Sequence, residues 1–498
     1  MPNDTKLSRA ALKIIRETTG LSKEKDKPTP ASYLETEKYI LEQVKIATHA
    51  THATEATEIR YIQYHKKTDS IDLVDSFEYE DKVYKPIIDE VIEKDSIHLP
   101  SGVKEYGNID NLIEKIRSFY NYNFQVPTKF EPFLPYLCLF NWVYEKFPFV
   151  PYLNFVGLTT TGKTTAMEVF GSTCYKAIDV SGSITIASIF RTTTSWKGTL
   201  LLDEFENVGE ESRAMISFLK SGVSNRAVLR VEGEKERAVR VYVVKCPKIF
   251  TSERPINDAG LQSRTIVIPM EKNKRPIPLY RLDKFKKEAQ EIRNMLLLWR
   301  LRNLNKIDLQ KLEFGFKELQ IFDGRVQQVI TPVYYLANEK IRKDILTFAT
   351  TQEEETMRER REAVSGIIFN IIYDFIKLNK DLVLSDIADN LNSQLKLIKP
   401  YTNNKVASII RKILGFDIQR IGHENISTVV LDKDKFEELC GYFGFVLISV
   451  ASVATVASVA NGESKQIKLD QLDQTDTQKL DSEISGVEED TWTEPPIV

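Results

Sequence analysis

Between residues 150 and 270 short apolar runs alternate with stretches of helical period. The runs 152–156, 176–180, 198–202, 248–252 and 265–269 are apolar or β-favouring for most of their length. Such runs are expected of strands buried on both faces, and helices are predicted from Gly162 onward, near 185–192 and at 210–222. Strands alternating with helices predict a parallel sheet covered on both sides. Ahead of this block, 59–64, 71–74 and 76–84 alternate and predict a small antiparallel sheet with a tight turn near Asp81 and Lys82. Residues 32–46 read as a helix, as do 109–122 and 133–147, the last ending before Pro148 and Pro151. Beyond the core, helical patterns lie at 289–300, at 366–378, at 384–391 with Ser385 as N-cap, and at 403–416 with Gly415 as the stop. Two short strands, 417–421 and 427–431, then flank 422–425 as a hairpin.

The ends read differently. Residues 1–30 are polar, with a short helix predicted at 6–16 and a Pro-rich exit. Two triplet repeats, Ala47-Thr-His-Ala-Thr-His and Ser449-Val-Ala-Ser-Val-Ala, match neither helical nor strand burial. Both read as low-complexity connectors, and the first equally as an extension of the helix before it. The expected divisions are a helical and low-complexity segment 1–58, a small α+β domain 59–130, an α/β core 131–270, a helical connector 271–362, a helix-and-hairpin domain 363–446, and a linker with an acidic tail 447–498.

Composition narrows the class. The chain has 498 residues, 42% hydrophobic and 28% charged, as in a soluble globular protein. Four cysteines without Cys-x-x-Cys spacing and five scattered histidines argue against zinc and against a disulfide framework. The start, Met1-Pro-Asn-Asp, has no signal-peptide character, and the longest apolar runs are too short to span a bilayer. A cytoplasmic protein with no membrane association is expected. Residues 461–498 carry ten acids against three lysines, so a net charge of −3 leaves the rest of the chain at +4. A mildly basic body with an acidic tail is compatible with nucleic-acid binding.

The chemistry concentrates where the run Tyr152-Leu-Asn-Phe-Val156 meets Gly157-Leu-Thr159-Thr160-Thr161-Gly162-Lys163-Thr164-Thr165. A strand followed by Gly-x-x-x-x-Gly-Lys-Ser/Thr and a helix is a phosphate-binding loop. The glycines let backbone N–H groups turn toward phosphate oxygens, and the helix adds its positive N-terminal end. Gly157, Thr159, Thr160, Thr161, Gly162, Lys163, Thr164 and Thr165 are the candidate ATP-binding set. Lys163 is placed to reach the β and γ phosphates, and the Thr164 hydroxyl to ligate Mg²⁺. About forty residues on, Gly198-Thr-Leu-Leu-Leu202 ends in Asp203-Glu204. Asp203 is the second candidate for the Mg²⁺ shell, and Glu204 the candidate base for an attacking water. Thr251 or Ser252, at the end of 248–252, is positioned to hydrogen-bond the water or the γ phosphate, and Thr251 is the assigned catalytic residue.

Ser263-Arg264 immediately precedes the last core strand. With the loop and the acid pair, this set resembles the AAA+ and superfamily-3 helicase class of P-loop ATPases. The resemblance implies an α/β P-loop NTPase sheet with helices on both faces, with 271–362 as a helical lid. It implies that Arg264 is an arginine finger completing a neighbouring subunit's site, and that the protein is a homo-oligomer, possibly a hexamer. Arg293, in the lid pattern, is the candidate second sensor. The hairpin pattern 227–244 around Gly233 resembles the channel hairpin of hexameric helicases, with Lys235 and Arg237 as DNA contacts among three acids. Residues 363–446 resemble a C-terminal winged helix, with Lys405, Arg411, Lys412 and Arg420 gathered where DNA contacts fall. The whole order is similar to ATPases of archaeal or bacterial viruses and plasmids. The function expected is an ATP-hydrolysing, DNA-associated motor, a replicative helicase or helicase loader. The alternative is a DNA-bound ATP switch without translocation.

Overall fold

The computed structural model describes residues 28–48, 56–180, 186–204, 210–224, 227–232, 238–256, 258–278, 282–308, 310, 312, 315–421 and 425–448. The expected helix at 6–16, the second triplet repeat, the acidic tail, and the hairpin tip with Lys235 and Arg237 lie outside the described residues. The chain forms two compact units, Met1–Thr356 and Met357–Val498.

The first unit opens with strands. These are β1 Thr29–Pro30, β2 Tyr33–Glu35, β3 Tyr39–Thr48, β4 Ala56–His65, β5 Ser70–Val74, β6 Phe77–Tyr79, β7 Lys82–Lys85 and β8 Ile97–His98. Strands β2-β3-β4-β5 form an antiparallel sheet, and β1, β7 and β6 a second, smaller one. The tight turn between β6 and β7 falls at Glu80 and Asp81, both with positive φ. The helix expected at 32–46 is therefore replaced by β2 and β3. Its apolar spacing, with Ile40, Leu41 and Val44 all buried, mimics a helix because Glu42 and Gln43 between them are buried too. Each has partners far along the chain. Gln43 exchanges hydrogen bonds with the backbone of Ile87, and Glu42 accepts from Tyr175, from Lys176 at 2.9 Å and from Arg300 Nε at 2.7 Å. Buried polar groups with such partners hide the alternation of a strand. The flanks of the first triplet repeat are strand as well, since Ala47 pairs with Thr57 and Thr48 with Ala56.

The third and largest sheet of this unit contains β8, β9 Tyr152–Val156, β10 Ala177–Val180, β11 Leu200–Leu202, β14 Lys248–Ser252 and β15 Thr265–Pro269 in the order β15-β9-β14-β11-β10-β8. All neighbours pair in parallel except β8, which runs antiparallel along the edge. Every residue of β9, β11 and β14 is buried, which accounts for their unbroken apolar character. Strands β12 Ala227–Glu232 and β13 Ala238–Val243 make a separate antiparallel hairpin. The fold class is mixed α/β around a parallel sheet. One hydrophobic core runs from Ile40 through the sheet to the helices Asp283–Asn303 and Gly324–Leu336, so the expected divisions at 58, 130 and 270 fall inside a single unit.

The second unit holds helices Val364–Lys377, Leu384–Leu395 and Asn403–Ile409, the last continuing into a π-helical turn, Ile410–Leu414. Gly415 follows with φ +76°, the left-handed stop the sequence predicts. Strands β16 Asp417–Ile421 and β17 Ile426–Val430 pair antiparallel. A further helix, Lys433–Phe443, capped by Asp432, closes the core with Phe436, Leu439 and Phe443. Ser385 is not an N-cap. Val383 occupies that position, where a bridge to Thr428 fixes the chain before the helix, and the Ser385 hydroxyl bonds Asp386 instead. Among the described residues no helix is long and apolar enough to cross a membrane.

Candidate phosphate-binding site

The loop after β9 is shaped by backbone. A Cβ on Gly157 would lie 2.6 Å from the Met270 carbonyl, so only glycine fits where β9 and the chain beyond β15 close on one another. Thr160 and Gly162 take positive φ, +68° and +84°, and Gly162 is the N-cap of the helix Lys163–Gly171. These turns curl the loop so that it faces the N-terminal end of that helix. Lys163 Nζ donates to Gly157 O at 2.6 Å and Leu158 O at 3.0 Å.

The acid pair stands at the end of β11, two strands away. Asp203 Oδ1 accepts from Thr164 Oγ1 at 3.1 Å, from Thr251 Oγ1 at 2.6 Å and from the Glu204 N–H at 3.1 Å. The same N–H reaches Thr251 Oγ1 at 2.9 Å. Glu204 has φ +50° and its side chain is exposed toward the loop. Thr251 is fully buried and turned to the acid pair, where it bonds Asp203 and the Glu204 backbone. Ser252, the alternative the sequence offers to Thr251, lines the cleft beside it. The exposed Glu253, which no sequence signal picks out, does so too, and its Oε1 accepts from Thr159 Oγ1 at 2.7 Å. The alternation of β14 sends Thr251 and Ser252 to opposite faces, and no local signal says which face meets the loop.

Thr159 to Thr165, Glu204, Ser252 and Glu253 enclose a cleft of about 430 Å³. A smaller cavity of about 190 Å³ adjoins it, sharing Gly162 and Thr165 and lined further by Phe124, Gln125, Asn273, Ile277 and Pro278. Its walls come from two distant segments. Arg275 joins them by donating to Phe124 O at 2.9 Å, and the Lys274 N–H by donating to Gln125 Oε1 at 2.9 Å.

Other predicted residues lie elsewhere. Arg264 directly precedes edge strand β15, and its carbonyl accepts from the N–H of Tyr152, the first residue of β9. The loop leaves the other end of β9, five residues on, which at about 3.3 Å per residue is roughly 16 Å away. The Arg264 guanidinium donates to Gly260 O. Arg293 is buried and donates to Leu99 O, Ser172 O and Gln290. Ser172 caps the far end of the loop's helix, about 13 Å from its start by helical rise. Arg293 is thus a core arginine, not a sensor at the phosphate end, and burial lowers its pKa to about 10.

In the second unit Lys405 lies over the Tyr401 ring at 4.5 Å, and Lys412 and Arg420 are exposed. Arg411 differs, because it donates to Ile418 O on β16 and braces the helix against the hairpin.

No family model matches the chain, and no curated protein matches it. Among solved structures it is similar to the apo C-terminal region (305–718) of NrS-1, at 14% identity and TM-score 0.37, covering 75% of this chain and 94% of that one. It is also similar to JCV helicase, at 14% identity and TM-score 0.24, covering 50% of this chain and 65% of that one.

Proposed function

We propose that the chain is an ATP-hydrolysing motor acting on DNA, a replicative helicase or helicase loader of a mobile element, working as a ring whose neighbours complete each active site. The observation that carries this reading is the convergence of Thr164, Thr251 and the Glu204 backbone on one oxygen of Asp203, beside a loop of phosphate-binding shape. A hydroxyl and a carboxylate are the oxygen donors Mg²⁺ prefers, so Thr164 and Asp203 fit that ion. Held by these two residues, the ion would supply positive charge that offsets the charge of the outer phosphates.

The protein's own groups divide the remaining work. Lys163 exchanges the carbonyls of Gly157 and Leu158 for phosphate oxygens. Glu204, with its backbone held by Thr251, accepts the proton of the attacking water. The cavity of Phe124, Gln125 and Asn273 takes the ribose and base. Arg264, too far from its own loop, serves the site of a neighbour, where its planar fork meets developing phosphate charge. The second unit, three helices followed by a hairpin, is read as a winged helix that contacts DNA through Lys405, Lys412 and Arg420, and Lys235 and Arg237 are assigned to the hairpin contact.

The test is strand displacement. Purified protein with ATP, Mg²⁺ and forked DNA is expected to separate the strands, and Glu204→Gln to bind ATP yet neither hydrolyse it nor separate them. ATP hydrolysis and DNA binding without any displacement would replace the motor with the ATP-switch reading. Glu204→Gln at near-normal ATPase rate would remove its role as base.

A further inference from the structure

The cleft has two distinguishable ends. Glu204, Ser252 and Glu253 close one, while Gly162 and Thr165 lead at the other toward Phe124 and Asn273. Thr164 and Asp203, the pair suited to an ion between the outer phosphates, belong with Glu204. A nucleotide in this cleft therefore runs with its base toward Phe124 and its last phosphate toward Glu204 and Glu253.

Glu253 stands outside the acid pair. Its backbone is anchored by Ser252, which is buried and bonded to Asn154 and to Arg254 O. Its carboxylate is tied to the loop through Thr159. Glu204 and Glu253 line the same cleft as Lys163, the single cationic side chain among its described lining residues.

We propose that Glu253 is a specificity-determining residue that sets the balance between nucleoside triphosphate and diphosphate. This rests on the nucleotide-site reading above. Held by Thr159, the carboxylate lies where a terminal phosphate meets it and a diphosphate does not reach. In a solvent-open cleft, two such charges about 5–8 Å apart weaken binding by roughly three- to tenfold. The penalty falls on the triphosphate, so Glu253 biases the site toward its product.

The experiment is titration calorimetry on the full chain with Mg²⁺, using ADP and a non-hydrolysable ATP analogue, for wild type, Glu253→Gln and Glu253→Ala. Glutamine keeps the size of the side chain and an oxygen for Thr159 while removing the charge. Both variants are expected to bind the analogue roughly three- to tenfold more tightly, with ADP changed by less than about twofold. Equal tightening of both nucleotides, no change in either, or weaker analogue binding overturns the proposal. If Glu253→Ala fails to fold, Glu253→Gln decides alone. Failure of the underlying reading looks different: wild type then binds neither nucleotide, or binds both unaffected by Lys163→Ala, and the proposal falls with the site.

Discussion

At the scale of single residues, Asp203 is the most constrained group in the cleft, because three donors share one of its oxygens. Thr251 links that carboxylate to the Glu204 N–H, and so positions both the acid proposed for the metal and the proposed base. Thr251→Val removes the link while keeping the shape. Turnover is expected to fall by roughly 10- to 100-fold, as for other small misplacements of catalytic groups, with KM for ATP nearly unchanged. Thr251→Ser should recover most of the rate in steady-state ATPase assays. A Thr251→Val enzyme of normal kcat would show that Thr251 is only core. That Lys163, Thr164, Asp203 and Glu204 lie close together was legible in sequence, because fixed spacing and strand ends place them. The task of Thr251 and the presence of Glu253 were not, since both depend on which face of β14 turns to a loop nearly a hundred residues earlier.

At the scale of elements, long-range polar burial misled the reading of β3. Glu42 looks like a helix-surface acid until Lys176 and Arg300 are seen to meet it in the core. The helix Lys433–Phe443 carries a readable cap and apolar spacing in Asp432, Phe436, Leu439 and Phe443, a pattern short enough to be masked by the low-complexity stretch that follows. The basic helix of the second unit shows what pattern alone cannot sort. Lys405 and Lys412 are both exposed, whereas Arg411 turns to Ile418 O. Replacing Lys405 or Lys412 by alanine is expected to lower the salt slope of DNA binding by about one unit each, and Arg411→Ala to change it less. Fluorescence anisotropy across a salt series measures this. Slopes unchanged by either lysine would assign the unit to protein docking.

At the scale of the molecule, alternating buried runs made the parallel sheet legible, but not its strand order or the core it shares with the N-terminal strands. That order puts Arg264 at the foot of an edge strand while the loop leaves the head of its neighbour. At that separation the two do not meet at one phosphate within a chain, and the proposed arginine finger therefore serves a neighbouring subunit. Arg264→Ala alone is expected to keep ATP affinity but lose turnover, since arginines supplied by a neighbour contribute on the order of 10³–10⁵ in rate. The direct measurement is ATPase activity after mixing Arg264→Ala with Glu204→Gln subunits, each inactive by itself. Recovered hydrolysis is the predicted result, because a Glu204→Gln neighbour lends its arginine to a site with intact Lys163 and Glu204. A mixture that stays inactive although mixed oligomers form, or full activity of Arg264→Ala alone, would contradict it.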